Sequence, residues 1–164
     1  MAGVFTLKHC SLVGQDATGT PIDVNLAPGP GDFSISGLEH NLTEALPVYN
    51  RGTYYEAVEG SDKGVEFSLT VYHEGALVDG GTDTVMNMVM KQGTFSAGTT
   101  TDAGGVVWMV DIVFTATRSG VTSTITLNNC RVMVSYTEDA NGNQLQISGT
   151  AYGTGTTSRP VVIA

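Results

Sequence analysis

A chain of 164 residues, 41% hydrophobic and only 14% charged, is large enough for one domain that buries roughly 70% of the surface its unfolded form exposes. Its formal charge of −9, from 16 acidic and 7 basic residues, argues against binding a phosphate backbone, which draws its affinity from Lys and Arg. No apolar run is long enough to span a bilayer.

The charged share lies well below the usual value of about 25%, so the surface must be polar and uncharged or covered by partners. The 21 glycines and many threonines favour short strands and turns over helices. We therefore expect a single, mainly β domain over residues 1–164. The start, Met1-Ala2-Gly3-Val4-Phe5, lacks the basic and apolar regions of a signal peptide and reads as that of a cytosolic product. Cys10 and Cys130 are then expected as two buried thiols rather than a bridge. No cysteine or histidine spacing suggests a metal.

In chain order, Val4 to Val13 and Ile22 to Leu26 read as two strands joined by the turn-rich segment Gly14 to Pro21,. The first alternates imperfectly, because Phe5 and Leu7 share one face while Cys10 and Leu12 share the other, as a bulge or two-sided burial would require. Ala27-Pro28-Gly29-Pro30-Gly31 stops pairing, since proline lacks the donor a ladder uses. Asp32 to Leu38 alternates as a strand, and so does Glu66 to Tyr72,. Between them, Glu39 to Gly60 fits no regular period yet holds Leu42, Leu46, Val48, Tyr49, Tyr54, Tyr55 and Val58. A connection of that length without structure of its own is usually functional or docked on something. We expect it to dock on another copy of the same chain.

One short helix follows the turn region Gly75 to Gly81. Thr82 can cap it, Asp83 suits its positive end and Gly93 can end it,. Val85, Met88 and Val89 share one face, with Met86 and Met90 beside them, which reads as a cover for the open side of a sheet. Gly98 to Gly105 is a flexible loop. Val106 to Arg118 is the strongest strand signal, with Trp108, Val110, Ile112, Phe114 and Ala116 on one face and Asp111 on the other,. Ser119-Gly120 fits a tight hairpin turn,. The returning strand, Val121 to Tyr136, changes phase at Asn128-Asn129, where a bulge or bend is expected. Asn141-Gly142 is another hairpin signal, leading into Gln144 to Tyr152,. The tail, 153–164, either closes a sheet edge or lies along a neighbour.

Catalytic patterns are missing. No nucleophile elbow frames a serine, and the adjacent His73 and Glu74 would point to opposite faces of a strand. Gly153-Thr154-Gly155 precedes no helix that could cradle a phosphate. His9 and His40 stand alone. The chain reads as a non-enzyme with no catalytic, cofactor or metal residues.

The stretches Asp32 to Glu39, Leu42 to Gly52 and Val65 to Tyr72, the helix from Thr82, and Ile147 to Gly153 resemble the tail tube (major tail) proteins of tailed bacteriophages, relatives of the type VI secretion needle protein. The resemblance spans about Gly31 to Gly153 and is one of layout rather than of a diagnostic motif. It implies a two-sheet β-sandwich or barrel with one short flanking helix and a long inter-strand loop. It further implies hexameric rings stacked into a tube, with one sheet of each protomer joining a continuous β-barrel lumen. On that reading 39–60 is the contact arm between subunits or rings, through Leu42, Leu46, Val48, Tyr49, Arg51, Tyr54 and Tyr55. The implied partners are further copies, tape-measure and tail-tip or terminator proteins, and double-stranded DNA only as transiting cargo, without membrane insertion. The implied location is the virion tail, assembled in the host bacterial cytoplasm.

Glu66, Ser68 and Thr70 share the polar face of their strand, with Asp111 as a further candidate for the lumen. Alternation alone leaves open whether Glu66 faces a lumen or outer solvent. Two other readings compete: a secretion needle with protein cargo, and a carbohydrate-binding β-sandwich. The latter would want exposed aromatics on a strand face, whereas Trp108 sits among core-like residues.

Overall fold

The computed structural model describes residues 10–18, 21–24, 33–38, 43–72, 84–102, 104–140, 142–153 and 159–164. Its strands are β1 (Cys10–Gln15), β2 (Pro21–Val24), β3 (Ser34–Ser36), β4 (Thr43–Asn50), β5 (Thr53–Asp62), β6 (Val65–Tyr72), β7 (Val110–Arg118), β8 (Val121–Asp139), β9 (Gly142–Ala151) and β10 (Val161–Ile163), with one helix, α1 (Val85–Met90). The fold is mainly β with a short helix, as expected.

The expected pair of sheets is replaced by one curled sheet and a separate hairpin. The eight-stranded sheet runs β2-β1-β7-β8-β9-β6-β3, with β10 on β8. A single strand, the nineteen-residue β8, serves both halves. Its first part, from Val121 to Cys130, pairs with β7, and its second, from Cys130 to Asp139, pairs with β9. Asn129 at the join adopts the left-handed backbone (φ 55°), and the β7 register slips between Val110 and Ile112. Asparagine tolerates that conformation better than most residues, so the phase change legible at Asn128-Asn129 is a real corner. The sheet curls far enough to face itself: Phe33, just ahead of β3, stacks on Phe114 of β7 with centroids 4.2 Å apart.

Alternation fills the space between. Val65 and Leu69 of β6, Ile112 of β7, Leu127 of β8 and Ile147 of β9 are all almost fully buried. The helix closes one side, with Val85 and Met88 in the core. Gly14 of β1 makes this possible, because a Cβ there would lie 2.1 Å from the Met88 sulfur. The helix cap is Thr84, whose hydroxyl accepts from the Asn87 N–H. Thr82 and Asp83, the residues expected at this end, lie outside the described residues. Lys91, in the left-handed conformation, ends the helix, and Gly93 instead opens a 3-10 turn through Ala97. Trp108 donates its indole N–H to the Met88 carbonyl at 2.8 Å and meets Phe95 edge-on, which keeps it in the wall of the core.

Strand β7 starts at Val110, later than the Val106 that alternation suggested. The Asp102 carboxylate accepts the N–H groups of Gly104, Val106 and Val107, and this local turn withholds them from a ladder. So bonded, Asp102 is held below the usual carboxylate range, chiefly by the Val107 N–H. The described part of the first strand reaches Gln15, two residues past Val13. Ser119 and Gly120 (φ 52° and 80°) form the tight β7–β8 turn. The end of the chain closes a sheet edge: Val161 to Ile163 pair with Leu127 to Ile125 of β8.

Cys130 is a free, buried thiol that donates to the Leu127 carbonyl, and burial pushes its ionisation far up. Cys10 pairs with Ala116 while Cys130 pairs with Val110. The two backbones are therefore about 20 Å apart along β7, beyond the reach of a disulfide.

Candidate assembly surfaces

The segment expected to be an irregular loop is an antiparallel hairpin, β4–β5. Leu46 pairs with Val58, Pro47 with Ala57, and Tyr49 with Tyr54. Register shifts between Thr43 and Ala45 and between Val48 and Tyr49 break the alternation, and apolar side chains occupy both faces. These two features hid its period. At its tip Arg51 and Gly52 both take positive φ (51° and 83°), the geometry of a two-residue hairpin turn.

Residues 44–58 are exposed throughout. Tyr49, Tyr54 and Tyr55 are 61%, 59% and 69% accessible, and Leu46, Val48 and Val58 are exposed with them. The one ring contact described there is internal, Tyr49 edge-on to Tyr54 at 6.2 Å. An isolated two-stranded hairpin is marginal in water, and apolar side chains clustered on both faces mark an interaction site. Leu42, named with this group, lies outside the described residues; Arg51 sits in the turn.

The second surface is the polar face of β3, β6, β9 and the second half of β8. Glu66, Ser68 and Thr70 share it. Register sets Ser36, Glu66, Thr150 and Arg131 in one cross-strand row, and Ser34, Ser68, Ser148 and Met133 in the next. Ser34 and Ser68 hydroxyls meet at 2.8 Å. Ser34, Ser36, Glu66, Ser68, Met133 and Thr150 line a shallow depression on it. Glu66 and Arg131 are the two charged groups among its described side chains, and they lie in the same cross-strand row.

Asp111 belongs elsewhere. Its carboxylate accepts the Asn129 N–H at 2.7 Å, inside the β8 corner rather than on that polar face. Burial raises its ionisation above the ordinary carboxylate value, partly offset by the Asn129 bond. Asn129 also donates to the Gly153 carbonyl and accepts from the Thr101 hydroxyl. The corner is legible in the sequence but the carboxylate that accepts its Asn129 N–H is not, because the two lie on different strands.

The third surface is an edge. Arg131 to Asp139 of β8 pair with β9 and, among the described residues, with no strand on the other side. At the opposite edge of this half-sheet, three-residue β3 covers only Glu66 to Ser68 of β6. A row of unsatisfied backbone groups is a template for another chain. Among the described residues no helix is long and apolar enough to cross a membrane.

No protein-family model matches the chain, and no curated protein sequence does. Solved structures do. The chain is similar to the sheath/tube terminator of an extracellular contractile injection system, PVC, in its extended state, with a TM-score of 0.55, 12% identity, and 100% of this chain and 99% of that one covered. It is also similar to a chain of the sheath–tube complex of the same system, with a TM-score of 0.54, 13% identity, and 98% and 91% covered. At such identities the likeness is one of fold, and it runs the full length of both chains.

Proposed function

We propose that this chain is a structural, non-catalytic subunit that polymerises as stacked hexameric rings into a tail tube of the bacteriophage type, the conduit for genome delivery. The observation that carries the reading is the freestanding hairpin with apolar side chains on both faces, an element that needs a partner to be stable. The full-length likeness to tube-associated folds supports it, as do the two incompletely covered edges of the β8–β9–β6–β3 half-sheet. Joining those edges between copies would remove them and present the Glu66–Ser68–Thr70 face to a lumen. The implied partners are further copies, tape-measure and terminator proteins, and DNA in transit, within a virion tail assembled in the host cytoplasm.

A second reading, a needle with protein cargo, is favoured by one feature. Among the described side chains of the half-sheet's polar face, Glu66 shares its cross-strand row with Arg131, so that row offers DNA no net like-charge repulsion. For the carbohydrate-binding alternative, Trp108 is turned toward Phe95 and Met88, which leaves exposed Tyr49, Tyr54 and Tyr55 of the hairpin as its aromatic candidates.

Electron microscopy of the purified protein tests the tube reading: rings or tubes are expected, and a persistent monomer at high concentration with tail-initiation proteins present would overturn it. Glu66→Lys tests the lining in assembled tubes. It is expected to create salt-sensitive DNA retention, and unchanged retention would remove Glu66 from the lumen.

A further inference from the structure

The two ends of the half-sheet differ in chemistry, and the hairpin leaves from only one of them. Val65 pairs with Ala151 and Ala151 with Cys130, which sets the hairpin root, just before Val65, at the Cys130 end. The opposite end is formed by Tyr136 to Asp139 of β8 and Gly142 to Leu145 of β9. Ten-residue β5 gives the hairpin a reach of about 33 Å. The eight steps from Cys130 to Glu138 measure about 27 Å, so the hairpin can span a second copy of the half-sheet placed beyond its root.

The tip carries Arg51, the one basic residue in the hairpin, fixed in a tight turn beside exposed Tyr54 and Tyr55. Arginine and tyrosine are the residue types that dominate binding energy at interfaces. The far end of β8 carries their complement. Alternation takes Val132 and Val134 into the core and carries Tyr136 beyond it, leaving the ring 39% exposed. Its hydroxyl donates to the exposed Glu138 carboxylate at 3.4 Å. Tyr136 and Glu138 lie on the face opposite Arg131, Met133 and Ser135, so occupying them leaves the polar lining clear.

We infer that the hairpin tip of one copy docks on the far end of β8 in the next copy, setting Arg51 against Glu138 and Tyr54 and Tyr55 against Tyr136. The inference rests on the tube reading and adds the receiving surface. With the tip of each copy on one neighbour and its β8 end receiving the tip of another, the contact is head-to-tail and propagates instead of closing as a dimer.

Charge reversal with rescue tests it, read as the protein concentration at which tubes form in sedimentation and electron microscopy. Both positions are exposed, and circular dichroism reports folding of each variant. Arg51→Glu and Glu138→Arg are each expected to raise that concentration about tenfold, and the double variant to return it to near the parent value. If either single variant assembles like the parent, or the double variant shows no rescue, this contact is overturned while the tube reading stands. If the parent itself forms neither rings nor tubes, both fall.

Discussion

Two residues show how single atoms set the shape of this sheet. Asp111 is half-buried at the β8 corner, and burial raises its ionisation above the usual value. A raised folded-state value favours the protonated form. Its stabilising contribution is therefore present below the unfolded carboxylate value and lost as pH rises through the raised one. Asp111→Asn keeps an oxygen for the Asn129 N–H while removing the desolvated charge. It is expected to be at least as stable as the parent at about pH 7, with the difference vanishing at about pH 3, as urea midpoints at both pH values would show. Gly149 has the opposite constraint. A Cβ there would lie 2.4 Å from the Arg131 carbonyl oxygen and 2.8 Å from the Phe67 ring. The β8–β9 ladder would have to shift, so Gly149→Ala should cost about 1–3 kcal/mol in denaturant unfolding.

Among the elements, the hairpin is the least integrated with the core. Replacing residues 43–62 by a short glycine turn should leave a folded protomer, with the β6–β9 ladder intact, that fails to assemble; normal tube growth would refute its docking role. Its existence as strands was the main thing the sequence hid. Period-2 reading works where one face is buried, as in Val65-Phe67-Leu69 or Leu145-Ile147, and the β6 and β9 strands were legible for that reason. Leu46, Tyr49, Tyr54 and Val58 occupy both faces of a bulged pair, so no alternation survives to be read. The early start expected for β7 has a related cause: Asp102 diverts three N–H groups into a turn, and apolar Val106 and Val107 disguise it. Asn128-Asn129, by contrast, announced the corner, because a strand whose buried face changes phase must bulge or bend at the change. Of the candidate site, alternation puts Glu66, Ser68 and Thr70 on one face of β6. Asp111, the separate lumen candidate, lies at the β8 corner, because alternation records which side of its own strand a residue occupies, not which half of a curled sheet that strand joins.

At the scale of the whole molecule, the exposed hairpin and the open edge of β8 predict a fold whose stability depends on how much of it is present. Assembly adds free energy by mass action. The thermal midpoint of the parent should therefore rise with protein concentration, and that of the hairpin-deleted variant should not, as scanning calorimetry over a concentration series would show. The corner in β8 has a mechanical consequence. Because one unbroken strand runs from the β7 side of the sheet to the β9 side, the two halves are joined by peptide bonds as well as by the packed core. A pull along β8 must shear its ladders to β7, β9 and β10 all at once, whereas a pull across a ladder would open its bonds one after another. Tension along that strand thus meets the stiffest direction the sheet possesses, and the hinge on which the curl depends is also the tie that keeps its halves from being drawn apart.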